Sequence, residues 1–421
     1  MQSTFGDDSH NIAKVILWNI GSLVLHRNAV NYRLPTSVAI GAVSRLYSQE
    51  WAFGENLRDF LLYNSTYHYF DLETFVFAQN IQDFIIEESN FETATKVGND
   101  PNPTILELGL LDEPTTSLKL INCTFVQFLE VKFVKVNSLS VEIKRNHFEA
   151  SKKEVFSLKG EDIIFQGNNI VLPGSEVLIL LDGKNINFTE NRIMGKNQNL
   201  IMMIPFNSLL LEENAIFENN YEVLELVFPE TEISSLFIIN SNLGRLTSVF
   251  LNVLVNSTII SGSTFSLDSK DIFLIETRNL ILTNNTFLGI FTGAIKSNVL
   301  DSIVISNNSF QHLQRESFFF IEPVSNTTRI SISDNIFENV ENGFLKINPS
   351  SLHALQDGRL SFGQLNLKKS CSCAIAHDII VPDKVSKLNH SNHEDEDHTN
   401  LENIIQDHII CISNGNPDSF I

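Results

Sequence analysis

The stretches 280–287 (LILTNNTF), 303–310 (IVISNNSF) and 330–337 (ISISDNIF) share one pattern. Apolar residues alternate with polar ones, and each stretch ends in a small polar residue, any residue and Phe. We number the small polar residue as position zero, so that Phe stands at +2 and apolar residues stand at −3 and −5. Strict alternation of this kind predicts a β-strand with one buried face.

The pattern recurs along most of the chain. Position zero is occupied by Asn28, Ser65, Ser89, Cys123, Asn146, Asn168, Asn191, Asn214, Ser241, Ser263, Asn285, Asn308 and Asn335. From Phe125 to Phe337 the residues at +2 stand 22 to 27 positions apart. Such a period over so many copies predicts a solenoid of about thirteen coils. The spacing is longer before Phe125, which predicts inserted loops in residues 31–115.

Two solenoid folds have roughly this period, the leucine-rich repeat and the right-handed parallel β-helix. The leucine-rich repeat needs an apolar residue eight positions before the Asn, where this chain has Gly160, Gly183 and Thr277. The other half of each repeat contains short apolar runs such as 177–181 (VLILL) and 200–204 (LIMMI), which are typical of strands. We therefore predict an all-β right-handed parallel β-helix over residues 1–370, with the leucine-rich solenoid as the alternative.

These repeats resemble those of the pectin-lyase-like superfamily over roughly residues 15–370. The resemblance implies a ladder of asparagines inside the tight turn between the second and third strands of each coil. The matching residues are Asn146, Asn168, Asn191, Asn214, Asn285, Asn308 and Asn335. A side-chain amide both donates and accepts, so stacked asparagines satisfy buried backbone groups along the ladder. A looser resemblance is to uncharacterised secreted β-helix proteins of arthropods that end in a Cys-x-Cys cap.

Residues 371–421 are predicted to form a small cap and an acidic flexible tail. The disulfide candidates are Cys371, Cys373 and Cys411. The Cys-x-Cys spacing is a poor match to a zinc site, although His377 keeps zinc as an alternative. The histidines of the tail are alternative weak metal ligands, namely His390, His393 and His398. We predict neither a metal nor a cofactor.

The charge balance argues against two classes of partner. The 421 residues contain 29 Lys and Arg against 50 Asp and Glu, a net charge of −21. Nucleic acids and anionic membranes attract basic surfaces, so we expect no nucleic-acid partner. The chain also lacks an apolar run long enough to predict membrane insertion. We expect an extracellular protein whose signal peptide is missing from this sequence, with an intracellular protein as the alternative.

Asn-x-Ser/Thr sequons offer candidate N-glycosylation sites. They begin at Asn64, Asn122, Asn187, Asn256, Asn284, Asn307, Asn326 and Asn389. Four of them, at Asn64, Asn122, Asn284 and Asn307, stand one position before the ladder, where alternation predicts an outward side chain.

Two function classes are open to such a fold. A carbohydrate-active lyase or hydrolase needs paired carboxylates on one outer face. The acids and bases near the first strand of each coil do not form adjacent acidic pairs, and the ladder-side acids precede tight turns. They are Glu225, Glu276, Lys296, Glu322 and Lys346 near the first strand, and Glu212, Glu213 and Asp334 beside the ladder.

The preferred hypothesis is a non-enzymatic structural or interaction protein. The runs 177–181, 200–204 and 318–322 (FFFIE) are apolar on both faces. One face fills the core, and the other is predicted to contact a protein or glycan partner or an inserted loop.

Overall fold

The computed structural model consists of β-strands joined by tight turns. It describes residues 14–19, 23–26, 37–41, 46–49, 59–69, 83–93, 104–108, 115–128, 132–150, 156–172, 177–195, 199–217, 222–227, 232–243, 245–249, 254–266, 273–288, 295–311, 319–323, 329–338, 345–347, 359–363, 365–368, 379–380 and 409–411. The chain divides into two compact units, residues 1–225 and 226–421.

The first unit is a stack of parallel strands in two sheets. Its strands are β1 (Lys14–Trp18), β2 (Leu23–His26), β3 (Ser37–Gly41), β4 (Leu46–Gln49), β5 (Asp59–Tyr63), β6 (Thr66–Tyr69), β7 (Asp83–Glu87), β8 (Asn90–Thr93), β9 (Thr104–Leu108), β10 (Thr115–Ile121), β11 (Thr124–Phe128), β12 (Lys132–Lys144), β13 (His147–Ala150), β14 (Phe156–Gln166), β15 (Asn169–Leu172), β16 (Val177–Thr189), β17 (Arg192–Gly195), β18 (Asn199–Glu212) and β19 (Ala215–Phe217). In the first sheet β1, β3, β5, β7, β10, β12, β14, β16 and β18 pair in that order, and β9 also pairs with β12. In the second sheet β2, β4, β6, β8, β11, β13, β15, β17 and β19 pair in order.

The second unit repeats this arrangement. The strand β20 (Glu222–Val227) contains the unit boundary, and the strands after it are β21 (Glu232–Ile239), β22 (Asn242–Leu243), β23 (Arg245–Val249), β24 (Leu254–Ser261), β25 (Thr264–Ser266), β26 (Phe273–Thr283), β27 (Thr286–Leu288), β28 (Ile295–Ser306), β29 (Ser309–Gln311), β30 (Phe319–Pro323), β31 (Arg329–Ser333), β32 (Asn335–Glu338), β33 (Leu345–Ile347), β34 (Leu360–Phe362), β35 (Leu365–Lys368), β36 (Ile379–Ile380) and β37 (Ile409–Cys411). In its first sheet, β21, β24, β26, β28, β31 and β34 pair in parallel, while β30, β33 and β36 continue from β28. The pairs β22–β25, β25–β27, β27–β29, β29–β32, β32–β35 and β35–β37 form its second sheet.

Alternation along each strand sends every second side chain into the core. In β14, Phe156, Leu158, Ile163 and Phe165 are buried, while Ser157 between the first two is half-buried and points outward. Because the sheets are parallel and in register, equivalent residues of successive coils form rows inside and outside the coils.

The structure confirms the predicted fold class, a right-handed parallel β-helix. A leucine-rich repeat would need helices or an equivalent on one side of each repeat. The described residues form strands, bends and turns, and none of them forms a helix that could cross a membrane.

The predicted number of about thirteen coils is wrong, and the predicted register of the first coils is wrong as well. A left-handed turn occurs at Asn19 (φ 56°), and its N–H donates to the carbonyl oxygen of Gly41 on the next coil. Leu25, assigned to position −3 before Asn28, instead lies in β2 of the second sheet. The coil containing β3 and β4 was missed because its turn is one residue longer. Ile40 and Leu46 pair with Leu62 and Tyr67 and are six positions apart, whereas Leu62 and Tyr67 are five positions apart. A pattern with fixed spacing does not match such a turn.

The proposed domain boundaries remain predictions. Residues 31–115 contain β3 to β9 and the start of β10, and the expected inserted loops fall on connecting residues outside the described ranges. Beyond residue 370, β36 pairs with β33 and β37 pairs with β35, and the rest of the predicted cap and tail also lies outside those ranges.

Candidate functional site

The seven ladder asparagines lie in the core and are hydrogen-bonded from coil to coil. Asn168 illustrates the arrangement: its Oδ1 accepts from the backbone N–H and from Nδ2 of Asn146, at 3.0 and 3.1 Å. Its own Nδ2 donates to the carbonyl oxygen of Ile143 at 2.8 Å. Each amide thus satisfies two backbone groups that are buried from water. The role of these residues is to hold the coils together, and they are not available to a ligand.

Smaller residues occupy position zero at the N-terminal side of each asparagine run. Ser89 Oγ accepts from the N–H of Ser65 at 3.3 Å, and Ser263 Oγ accepts from the N–H of Ser241 at 3.1 Å. Cys123 Sγ lies 3.5 Å from the carbonyl oxygen of Ile86. Burial raises the pKa of the Cys123 thiol to about 12, so the group is a neutral thiol at physiological pH.

Aromatic rings stack beside the ladder at position +2. In the first unit Phe125 lies between Phe91 and Phe148, with ring centroids 4.6 and 4.9 Å away. In the second unit Phe287 and Phe310 are 5.0 Å apart and nearly parallel. Stacks of this kind add to the burial of apolar area. The interior of the described coils is therefore packed, so a binding surface on those coils would lie on their outer side.

The outward side of the first sheet carries apolar side chains on the coils of β16 and β18. Leu180 pairs with Met202 in register, and both are half-buried. Their neighbours Ile179 and Ile201 are buried in the core. The run 318–322 overlaps β30, which pairs with β28, but its side chains lie outside the described residues. The structure thus brings two of the three predicted outward runs together.

A polar edge borders these apolar side chains. Ile204 pairs with Asp182, which pairs with Lys159 in turn. Lys159 Nζ lies 3.7 Å from one carboxylate oxygen of Asp182, and the other oxygen is buried without a hydrogen-bond partner in the described part of the chain. Because the Lys159 side chain is exposed and the distance is long, this ion pair contributes little to stability. We call the surface formed by Ser157, Leu180, Met202 and Ile204 the outward patch.

The acids considered for catalysis are not assembled into a site among the described residues. Glu213 and Asp334 are exposed and occupy left-handed turn positions, with φ of 52° and 56°, and Glu212 is half-buried beside its turn. The side chains of the first-strand candidates lie outside the described residues, namely Glu225, Glu276, Lys296, Glu322 and Lys346.

The sequons divide into two structural classes. Asn64, Asn122, Asn284 and Asn307 are exposed in tight turns, whereas Asn187 and Asn256 lie within β16 and β24 and are half-buried. Asn326 and Asn389 lie outside the described residues.

Most of the predicted disulfide and alternative metal-binding residues of the cap and tail lie outside the described residues. Cys371, Cys373 and His377 are among them, as are His390, His393 and His398. Cys411 is placed in β37 by its backbone alone. Within the described ranges, no three His, Cys, Asp or Glu side chains come together as a metal site would require.

An aromatic pair on the outside of the first coils was not predicted from the sequence. Trp18 stacks on Tyr63 with ring centroids 5.8 Å apart, although Gly41 lies between their strands. A Cβ at Gly41 would overlap the indole, so only glycine leaves room for this contact. A hydrogen bond with the Glu88 carboxylate raises the pKa of Tyr63. The signal that would have found the pair is the register Trp–Gly–Tyr on successive coils.

Comparison with known proteins does not extend this picture. No family model matches the chain, and neither a curated protein sequence nor a solved structure gives a significant match.

Proposed function

We propose that the chain is a non-enzymatic extracellular protein that acts through the outer surface of its β-helix, as a structural or interaction module. The observation that carries the proposal is the outward patch. Leu180 and Met202 lie side by side on adjacent coils and point away from a core that is already filled. A sheet face with apolar residues in register suits contact with another macromolecule better than it suits a small polar substrate.

Burial of the outward patch by a partner would contribute a favourable free energy of association. Burial of apolar area contributes roughly 25 cal/mol per Å² before the costs of association are subtracted. Leu180, Met202 and Ile204 are half-buried in the chain itself, so a partner would remove the remaining area from water. Ser157 and the Lys159–Asp182 pair would then form the polar rim that interfaces usually have.

We also propose membership of the pectin-lyase-like superfamily. Support comes from the asparagine ladder, whose hydrogen bonds run through successive turns of a parallel β-helix. The looser likeness to secreted arthropod proteins is also a proposal, because the Cys-x-Cys motif on which it depends lies outside the described residues.

An extracellular location is supported by the sequons at exposed turns, and the net charge of −21 argues against a nucleic-acid or anionic-membrane partner. High net charge keeps a protein soluble and disfavours association with anionic membranes and nucleic acids.

The test is a binding and cleavage screen of the purified chain against a panel of polysaccharides and extracellular matrix proteins. We expect binding without cleavage. Met202→Asp is expected to abolish binding in a protein that remains folded, while Leu139→Asp, at an exposed apolar position of β12 outside the outward patch, is the matched control for an added charge. Ile179→Asp places a charge in the core and is expected to unfold the first unit.

Two results would reject the proposal. A folded Met202→Asp variant with unchanged binding and unchanged oligomeric state removes the outward patch as a contact surface. Release of defined oligosaccharides by the wild-type chain, lost on substitution of an outer-face carboxylate, would instead identify a carbohydrate-active enzyme.

A further inference from the structure

Four sequon asparagines occupy the same position of the coil. Asn64, Asn122, Asn284 and Asn307 directly precede position zero, and their φ angles are 42°, 54°, 58° and 57°. Each is exposed. The middle residue of each sequon is the buried position-zero residue, and the Ser or Thr that follows begins the second-sheet strand. The four sequons therefore present an exposed Asn and a strand hydroxyl on the same turn.

Hydrogen bonds between coils hold the backbone of these turns, but the side-chain amides of the four asparagines form no hydrogen bond among the described residues. The N–H of Asn284 donates to the carbonyl oxygen of Ser306 at 3.1 Å, and that of Asn122 donates to Lys144 at 2.9 Å. Among the described residues, the structure records no hydrogen bond to the carboxamide of any of the four. An attached sugar would displace no contact.

The turn itself does not require asparagine. Equivalent left-handed positions hold Glu88, Arg145, Glu190, Glu213 and Asp334. Asn, like Asp, tolerates the left-handed region better than Glu or Arg does, which gives it one reason to occur there. The turn geometry does not explain why a Ser or Thr stands two residues after each of the four asparagines. Asn240 occupies an equivalent turn, and the residue two positions after it is Asn242.

Asn187 presents the opposite environment. It lies in β16 between Ile164 and Leu210, its register partners on the neighbouring coils. Its Oδ1 is buried without a hydrogen-bond partner among the described residues, and the sequon hydroxyl of Thr189 belongs to a buried side chain. Asn187 faces the outer side of the sheet, and the side chains of Ile164 and Leu210 flank it there. Because its Oδ1 is buried, a glycan joined to this amide would have to displace those neighbours.

We infer that Asn64, Asn122, Asn284 and Asn307 carry N-linked glycans in the folded protein and that Asn187 does not. The inference rests on the extracellular location proposed above. The donor class is an oligosaccharide on a polyprenyl pyrophosphate. The asparagine Nδ2 forms a bond to C1 of the first sugar, the C1–O bond to pyrophosphate breaks, and the proton lost from Nδ2 balances the charge of the leaving group.

The glycans would occupy one corner of each unit. In the first unit Asn64 and Asn122 are two coils apart, with Glu88 on the coil between them. In the second unit Asn284 and Asn307 are on consecutive coils. This corner joins the two sheets, whereas the outward patch lies toward the other end of β16 and β18. Partner contact and glycosylation can therefore coexist in the first unit.

The test is site mapping on the full chain secreted from a eukaryotic host behind an added signal sequence. Enzymatic deglycosylation in ¹⁸O water, followed by peptide mass spectrometry, labels each asparagine that carried a glycan, and an enzyme-free sample controls for deamidation. We expect the label at the four turn asparagines and its absence at Asn187 in the folded, secreted fraction. The inference is overturned if the four turn asparagines are unlabelled, or if Asn187 is labelled in that fraction.

Three variants separate the turn geometry from the sequence motif. Thr286→Ala is expected to remove the label from Asn284 alone, and Thr286→Ser is expected to retain it. Asn242→Thr creates a sequon at the turn residue Asn240 and is expected to gain a label; failure to gain it would show that the turn does not permit modification.

The glycosylation sites and the outward patch can each be rejected without rejecting the other. Unlabelled turns in a protein whose binding depends on Met202 reject only the glycan sites. Labelled turns in a protein whose Met202→Asp variant binds normally reject only the outward patch.

Discussion

Asn285 and Asn308 are hydrogen-bonded across consecutive coils by two donors on one acceptor. The backbone N–H and the Nδ2 of Asn285 each lie 3.0 Å from Oδ1 of Asn308. Asn285 Nδ2 also donates to the carbonyl oxygen of Ile260 at 2.8 Å. One side chain therefore links three coils of the second unit, and its removal leaves several buried groups without partners.

Asn285→Ala is expected to lower the free energy of unfolding by roughly 1–3 kcal/mol, the usual range for an unsatisfied buried group. Denaturant unfolding followed by circular dichroism measures the change. The matched control is Asn284→Gly, one position earlier. Asn284 has φ 58°, so alanine would add strain there, whereas glycine tolerates this angle. Equal losses in the two variants would mean that the ladder register is displaced by one residue.

Phe310→Ala is expected to lower the free energy of unfolding by about 3–5 kcal/mol. Phe310 is 1% exposed, and its ring lies 5.0 Å from both Phe287 and Phe337. The truncation would leave a cavity in the middle of a continuous stack. Gln311→Ala, at the adjacent outward position, should change the free energy by less than about 0.5 kcal/mol. Similar melting temperatures for the two variants would contradict the inward placement of the ring.

Cys123 is expected to make stability fall at alkaline pH. Burial raises its pKa from 9.0 to about 12, so the unfolded chain releases the thiol proton before the folded chain does. The contribution is fully present below pH 9.0 and is lost as pH rises toward about 12. Chemical unfolding at a series of pH values should show a steeper alkaline decline for wild type than for Cys123→Ser. Parallel declines would show that the thiol ionises equally in both states.

Cys123→Asn is expected to extend the ladder by one rung. The carbonyl oxygen of Ile86 already lies 3.5 Å from Sγ, and the N–H of Cys123 already donates to Asn146 Oδ1 at 2.8 Å. An amide there could donate to Ile86 and to Asn146, as Asn146 Nδ2 itself does to Leu120 and Asn168. We expect the free energy of unfolding to rise by about 1 kcal/mol. Cys123→Leu, which adds volume without donors, should lower it; a loss in both variants would contradict the prediction.

The alternating pattern and its period were sufficient to predict the fold class and the members of the ladder. Both are local properties that recur at the same position of each coil, so the pattern in one coil supports the assignment of the equivalent residues in the next. The prediction failed at the first coils because their turns are one residue longer: Leu23 follows Leu17 by six positions, whereas in the third coil Tyr67 follows its equivalent, Leu62, by five. There, strand pairing to β5 and β6, and not the local pattern, sets the register.

The outer surface depended on the tertiary structure. All sequons share one motif, yet the fold exposes Asn284 in a left-handed turn and holds Asn187 between two strands. Trp18 reaches Tyr63 only because coils stack and Gly41 leaves a gap between them. The sequence by itself determined which side chains face the core, since alternation is a property of a single strand. Which outward side chains meet one another, and how much of each remains exposed, was decided by coil stacking, which joins residues more than twenty positions apart.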